Sequence, residues 1–304
     1  MVNNQIIKKN SFHAWVLAAR PKTLTGAIVP VLMGSALALF DLKFSWFPAL
    51  ICLIFAALMQ MSANFINDLF DYLKGSDRED RLGPERACAQ GWISPNAMKW
   101  GIAITVAVAC LIGCILIYYG GWVTIAIGAA SVLFAFLYTT CLSYYGMGDI
   151  LVLIFFGLVP VGGTYYVQSL DLTANTIIIS LACGLVIETL LVINNYRDRD
   201  ADKQSGKRTL IVRFGEQFGR YLYLLSGLLA VALMLSLIKH HPFGALLPII
   251  YIFPHYATWK EMVQIRSGKK LNSILGKTSR NMLLFGMLST IGLIIDYLFP
   301  YILS

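Results

Sequence analysis

Residues 46–77 read WFPALICLIFAALMQMSANFINDLFDYLKGSD, and two properties of this stretch set the fold. Residues 46–69 are mostly apolar, and a helix crossing the hydrocarbon layer needs about 20 such residues. Toward its end the run turns polar without a helix-breaking residue. Gln60, Asn64, Asp68 and Asp71 recur on one face at helical spacing, with Asn67 beside them. Polar and ionisable groups at the end of an apolar helix must face protein or water, so the stretch predicts a membrane span that lends one face to a site inside a bundle.

The rest of the chain repeats the apolar theme. Further spans are expected at 24–40, 96–118, 121–140, 149–167, 174–196, 218–238, 243–260 and 281–302, the third and fourth spans being separated by the turn Tyr119-Gly120-Gly121. Of the 304 residues 58% are hydrophobic and 13% charged, with a mean hydropathy of +0.69, whereas soluble domains carry about 25% charged residues. The expected class is therefore all-α: a polytopic membrane protein of nine transmembrane helices, with residues 1–304 as one domain in the lipid bilayer. The first twenty residues lack the apolar core of a secretory signal, so no cleaved leader is expected. Most of the six cysteines fall in apolar runs and read as small hydrophobes; Cys110 and Cys114 share a helix face, but nothing near them completes a zinc site.

Charge gives the orientation. The N-terminus and the loops after spans two, four, six and eight, together with the span ends that adjoin them, hold 22 of the 24 Lys and Arg residues; only Lys43 and Lys239 lie on the other side. Lys and Arg in short loops are retained in the cytoplasm, so these segments are expected there. The net charge of +8 is then a topological signature, and no nucleic-acid partner is expected.

A second polar stripe ends the span at 174–196, where Glu188 is followed by Asn194-Asn195-Tyr196-Arg197-Asp198-Arg199-Asp200-Ala201-Asp202. Asn194, Asp198 and Asp202 share a face, and the pattern matches Asn67-Asp68-Leu-Phe-Asp71 at an interval of 127 residues, a weak internal repeat. Oxygen ligands from Asp and Asn suit a hard cation, and Mg²⁺ typically combines a few carboxylates with water and substrate phosphates. Asn67, Asp68, Asp71, Asp198 and Asp202 are the candidate metal ligands. Lys22, Lys74, Arg81, Arg86, Lys207 and Arg208 share their membrane face and are candidates for binding a diphosphate. The other acids near these motifs, Asp77, Glu79, Asp80, Glu85, Asp200 and Glu216, lie beyond the helix ends and read more simply as solvated charges.

These residues closely resemble the UbiA superfamily of intramembrane aromatic prenyltransferases, whose signatures are Asn-Asp-x-x-Asp-x-x-x-Asp and Asp-x-x-x-Asp. The matches are Asn67-Asp68-Leu-Phe-Asp71 and Asp198-Arg-Asp-Ala-Asp202; four positions after Asp71 stands Gly75, and the next acid is Asp77. Longer strings are similar to the branch that prenylates 1,4-dihydroxy-2-naphthoate for menaquinone: Ala19-Arg20-Pro21-Lys22-Thr23-Leu24, Arg81-Leu-Gly83-Pro84-Glu85-Arg86, and Gly206-Lys207-Arg208-Thr209-Leu210. The resemblance implies a bacterial inner-membrane enzyme that uses Mg²⁺, a polyprenyl diphosphate and an aromatic acid acceptor. In that scheme Asp68, Asp71, Asp198 and Asp202 serve catalysis through the metal. Asn64, Tyr138, Tyr144, Tyr145, Asp149 and Glu188 are candidates for holding the acceptor or shielding the allylic cation.

Other readings stay open from the residues alone. Asp149 also suits the start of a helix, and Glu188 also suits pairing with Gln60 between helices. His13, His240, His241 and His255 have no ligand spacing to the acidic motifs. The same superfamily takes other acceptors, such as 4-hydroxybenzoate, and a secondary transporter of an anionic solute is a different class that also uses repeats and intramembrane charge.

Overall fold

The computed structural model describes residues 7–75, 81–140 and 142–302, and among these the chain is helical with no strand. It runs α1 (Phe12–Ala19), a 3₁₀ turn at Pro21–Thr23, α2 (Thr25–Phe40), α3 (Trp46–Leu73), α4 (Pro95–Ile115), α5 (Ile117–Thr140) and α6 (Gly148–Val152). A π-helical stretch, Leu153–Gly162, joins α6 to α7 (Gly163–Ser169), and α8 (Ala174–Gln204), α9 (Leu210–Leu235), α10 (Pro242–Leu246), α11 (Ile252–Ile265) and α12 (Leu271–Ile302) follow. Helix starts carry their chemistry locally. Ser11, Ser94, Thr173 and Thr209 each accept the backbone N–H three residues on, and Pro95 occupies a first-turn position where no N–H is needed.

Seven helices of the described residues are long and apolar enough to cross a membrane, and α1 with α2 forms a further candidate bent by 48°. The expected span at 24–40 is the second limb of that pair. The span expected at 243–260 is instead built from α10, a 3₁₀ stretch at Leu247–Tyr251 and α11, none of them long enough alone. Pro242 opens α10, where no N–H is needed, while Pro248 stands at the junction of α10 and the 3₁₀ stretch; there proline removes a backbone donor and clashes with the preceding turn, which divides the segment. The turn expected at 119–121 is a kink within α5 at Gly121, whose φ of 60° only glycine adopts at little cost.

Two packed halves position the site. In the first, α3 packs against α4 and α5, and Phe65, Ile66, Leu69, Met98 and Ile102 bury against Ala14 and Ala18 of α1. In the second, α8 packs against α9, α12, α2 and the π-helical stretch around Met33, Leu37, Ile179, Val186, Met234 and Phe285. The carboxyl ends of α3 and α8 then meet at one end of the bundle.

Candidate active site between the motif helices

The two acidic stripes end differently, and glycine decides how. After α8 the backbone turns at Gly206, with φ of 78°. The Gly206 N–H donates to the Lys203 carbonyl at 3.3 Å and the Lys207 N–H to the Asp202 carbonyl at 2.9 Å. This is the left-handed glycine cap that satisfies the last carbonyls of a helix. It also brings the Lys207 ammonium to 3.7 Å from the Asp202 carboxylate. In α3 the equivalent cap falls at Gly75, with φ of 66° and its N–H on the Tyr72 carbonyl. The repeat interval sets Gly75 opposite Asp202. Helix α3 therefore stops one turn short of where α8 carries its last carboxylate.

A cavity of about 1840 Å³ opens between these helix ends. Its polar part is lined by Arg20, Lys22, Asn64, Asn67, Asp71, Arg81, Arg86, Asn194, Asn195, Arg197, Asp198, Asp202 and Lys207. It continues as an apolar channel past Tyr138, Phe134, Phe155 and Phe156 to Val31, Cys52, Leu116 and Val167. Phe134 and Phe155 stack with ring centroids 3.8 Å apart.

Each motif carboxylate has a defined partner. Arg86 donates to Asp71 at 2.7 Å, and Arg197 forks onto Asp198 at 2.7 and 2.6 Å, the planar match that favours Arg over Lys. Asn67 accepts from the Thr139 hydroxyl. Asp68 departs from expectation. It is 1% exposed, does not line the cavity, and accepts the N–H groups of Ala87 and Cys88 at 2.8 Å each. Its position on the polar stripe points it sideways into the loop after α3, where it holds the backbone beside Arg86. The candidate ligand set at the cavity is thereby Asn67, Asp71, Asp198 and Asp202.

The same loop straps the two halves together. The Asn272 side chain of α12 donates to the Leu82 carbonyl at 2.7 Å and accepts from Arg197 at 3.0 Å. A Cβ on Gly83 would lie 2.8 Å from the Arg197 guanidinium, so glycine lets the strap pass over that buried side chain. The string Arg81 to Arg86 thus crosses from the α8 and α12 side, at Leu82 and Gly83, to the α3 side, at Arg86.

Of the other expected residues, Lys22, Arg81, Arg86, Lys207, Asn64, Tyr138 and Asp149 reach the cavity wall. Lys74, Arg208 and Tyr145 do not. Lys74 is the last residue before the Gly75 turn and donates to the Thr139 carbonyl, Arg208 is exposed with its carbonyl packed on Gly146, and Tyr145 is exposed beside Arg213. The Tyr144 side chain and residues 76–80, with Asp77, Glu79 and Asp80, lie outside the described residues. Glu188 is buried behind the wall and makes no bond to Gln60, which instead donates to Thr23.

Sequence reasoning passed over Arg20, Arg197 and Asn195. Arg20 follows α1 in the left-handed region, at φ of 51°, where a bulky side chain is rarely found. The Asn64 amide holds this joint by donating to the Ala19 carbonyl and the Thr23 hydroxyl at 2.9 Å each, and Arg20 lines the cavity 4.0 Å from Asp68. The available signal was the Arg20-Pro21 pair, since the residue before proline is pushed away from the helical region. His255, stacked between Tyr223 and Tyr251, is a packed core residue.

The donor set tests well against a hard cation in kind: carboxylate oxygens of Asp71, Asp198 and Asp202, and amides of Asn67, Asn194 and Asn195, all border one cavity. Among the described residues no three acidic, histidine or cysteine side chains converge into a preformed metal cluster. A cation here would have to draw part of its shell from a ligand that also reaches the arginines.

Comparison with known proteins agrees with this arrangement. The UbiA prenyltransferase family matches residues 27–276, which contain both motif helices. The chain is 38% identical over 242 residues to the 1,4-dihydroxy-2-naphthoate octaprenyltransferase of Escherichia coli, an alignment covering 75% of this chain and 78% of the relative. It is 36% identical over 231 residues to the 1,4-dihydroxy-2-naphthoate octaprenyltransferase of Mycobacterium tuberculosis, covering 75% and 78%. Its fold is similar to that of a UbiA homolog from Archaeoglobus fulgidus bound to DMAPP and Mg²⁺, with a TM-score of 0.65 at 15% identity over 92% of this chain and 98% of the other. Two acidic helix ends facing one cavity, a matched domain that spans both and relatives of this similarity have one common account: the chain belongs to the UbiA prenyltransferase family.

Proposed function

We propose that the chain transfers a polyprenyl group from polyprenyl diphosphate to 1,4-dihydroxy-2-naphthoate, releasing diphosphate and CO₂ and yielding demethylmenaquinol. The observation that carries this is the continuity of one cavity from a rim of carboxylates and guanidinium groups into an apolar channel. A molecule with a diphosphate head and a long isoprenoid tail fits that sequence of surroundings. The names of the relatives support the naphthoate as acceptor.

The rim residues divide the work by charge. Asn67, Asp71, Asp198 and Asp202 would hold Mg²⁺, which when bound supplies positive charge to the diphosphate. Arg20, Lys22, Arg81, Arg86 and Lys207 line the same rim and offer N–H donors to phosphate oxygens as negative charge builds on the leaving group. Asp68 acts at one remove, through the loop that carries Arg86. Tyr138, Phe134 and Phe155 present ring faces and edges where the allylic carbon would stand, and an electron-rich face stabilises a cation. The N-terminus and this end of the bundle belong in the cytoplasm, supported by the Lys and Arg bias of the loops.

Purified protein with Mg²⁺, a polyprenyl diphosphate and a panel of aromatic acids, followed by mass spectrometry, tests the proposal. The expected product is the decarboxylated prenyl naphthoquinol. Preferred conversion of 4-hydroxybenzoate would reassign the acceptor, and turnover undiminished by excess chelator would remove the metal.

A further inference from the structure

One buried acid near the cavity has no partner of the ordinary kind. Glu188 is 3% exposed, and neither of its carboxyl oxygens accepts an N–H or O–H hydrogen bond. Helix geometry shows what it faces. Gly184, Glu188 and Leu191 share one face of α8. A Cβ on Gly184 would lie 3.1 Å from Leu153, and Leu191 lies 3.3 Å from the Cβ position of Gly148. Glu188 stands between these contacts, against the turn that carries Asp149. Helix α6, which carries Asp149, packs on α8 here, so the Asp149 carboxyl is the charged group that faces Glu188. Carboxyl groups hydrogen-bond to each other only if one of them keeps its proton. Asp149 in turn lines the cavity, and Tyr138 flanks it: the Tyr138 hydroxyl is 3.7 Å from the Cβ position of Gly148.

We propose that Asp149 and Glu188 hold one proton between them and exchange it with the ring hydroxyl of the acceptor during transfer. Asp149, at the wall, is the catalytic base, and Glu188 behind it is its positioning residue. The proposal rests on the reading of the acceptor as a hydroxylated aromatic acid. The reaction explains why a shared proton suits the task. The allylic C–O bond breaks and its electron pair leaves on diphosphate. The ring carbon that bears the carboxylate supplies the pair for the new C–C bond as the adjacent hydroxyl becomes a carbonyl, its proton passing to Asp149. Loss of CO₂ returns the pair of the broken ring–carboxyl bond to the ring, and the oxygen takes the proton back. No proton is gained or lost overall, so the base must return what it takes. A carboxyl pair out of reach of bulk water keeps that proton at hand.

The test uses Asp149→Asn, Glu188→Leu and Glu188→Gln in the full chain, assayed in two ways: prenylation of the naphthoate, and slow release of prenol from polyprenyl diphosphate without acceptor, which needs ionisation only. Asp149→Asn is expected to lower kcat for prenylation about 100-fold or more while prenol release persists. Glu188→Leu is expected to lower kcat with KM for polyprenyl diphosphate unchanged. Glu188→Gln, which still donates to Asp149, restores most of the rate. A purely structural Glu188 would tolerate Leu in its apolar surroundings. Full prenylation by Asp149→Asn or Glu188→Leu overturns the proposal. So does equal loss of prenylation and prenol release in folded protein, because the pair would then support ionisation instead. If the wild type prefers another hydroxylated aromatic acid, that acceptor replaces the naphthoate in the same assay, so failure of the acceptor assignment is separable from failure of the pair.

Discussion

Asp68 and Asp71 stand three residues apart on one helix and have opposite employment, one bound to loop amides and the other to Arg86 at the cavity. Asp71→Ala and Asp198→Ala are expected to lower turnover at least about 100-fold while membrane insertion and expression stay normal, since both carboxylates border the cavity and take no part in the apolar core. Asp68→Asn has a different expected signature. The amide presents only one accepting oxygen to two buried N–H groups, so thermal or denaturant unfolding is expected to reveal a loss of about 1–3 kcal/mol, with the Mg²⁺ dependence of turnover unchanged. Lys207 and Arg208 separate in the same way. Lys207→Ala is expected to raise KM for polyprenyl diphosphate about tenfold, the effect of one charge-assisted bond, and Arg208→Ala to leave it near the wild-type value in steady-state kinetics. Helical spacing made the polar stripe legible in the sequence, down to Asn64 and Asn67. It could not separate Asp68 from Asp71, because what captures Asp68 is a pair of amides nineteen and twenty residues further on.

At the scale of elements, the end of α8 depends on Gly206. Its φ of 78° is strained for any residue with a Cβ, although open space surrounds the position. Gly206→Ala is expected to cost about 1–2 kcal/mol in unfolding measurements and to raise KM for polyprenyl diphosphate by loosening the turn that presents Lys207. Gly206→Asn, which tolerates the left-handed region better, should fall between the two. The continuous spans were readable because an apolar run of this length has few alternatives, and α3 and α8 carry their motifs where the pattern put them. The segment from α10 to α11 was not readable as three pieces. Its overall hydropathy resembles that of one span, and the first break depends on how Pro248 is accommodated locally. The strap at Arg81 to Arg86 was visible only as a recurring string; its reason, the passage of Gly83 over Arg197, requires two segments more than a hundred residues apart.

Across the whole molecule, the charge asymmetry makes a topological prediction. Single cysteines at Ser205 and Ser45, both exposed, are expected to react with membrane-impermeant reagents from opposite sides, in a background lacking the native thiols, Cys110 and Cys114 among them being exposed. Labelling of both from one side would overturn the topology. A last consequence follows from how unevenly the helices are packed. Of the helices that qualify as spans, α4 and α5 bury the smallest share of their apolar stretches and α8 the largest, and Cys110, Gly113, Ile125, Gly128 and Val132 of α4 and α5 line the channel. On that flank the channel wall is made by the least buried of the spanning helices, so acyl chains would press on the wall of the proposed isoprenoid channel. The solvent of this enzyme is then a kinetic variable in its own right. Moving it from detergent micelles to bilayers of increasing thickness or order should alter turnover of long-chain donors more than short-chain ones, with the acceptor's kinetics following only weakly.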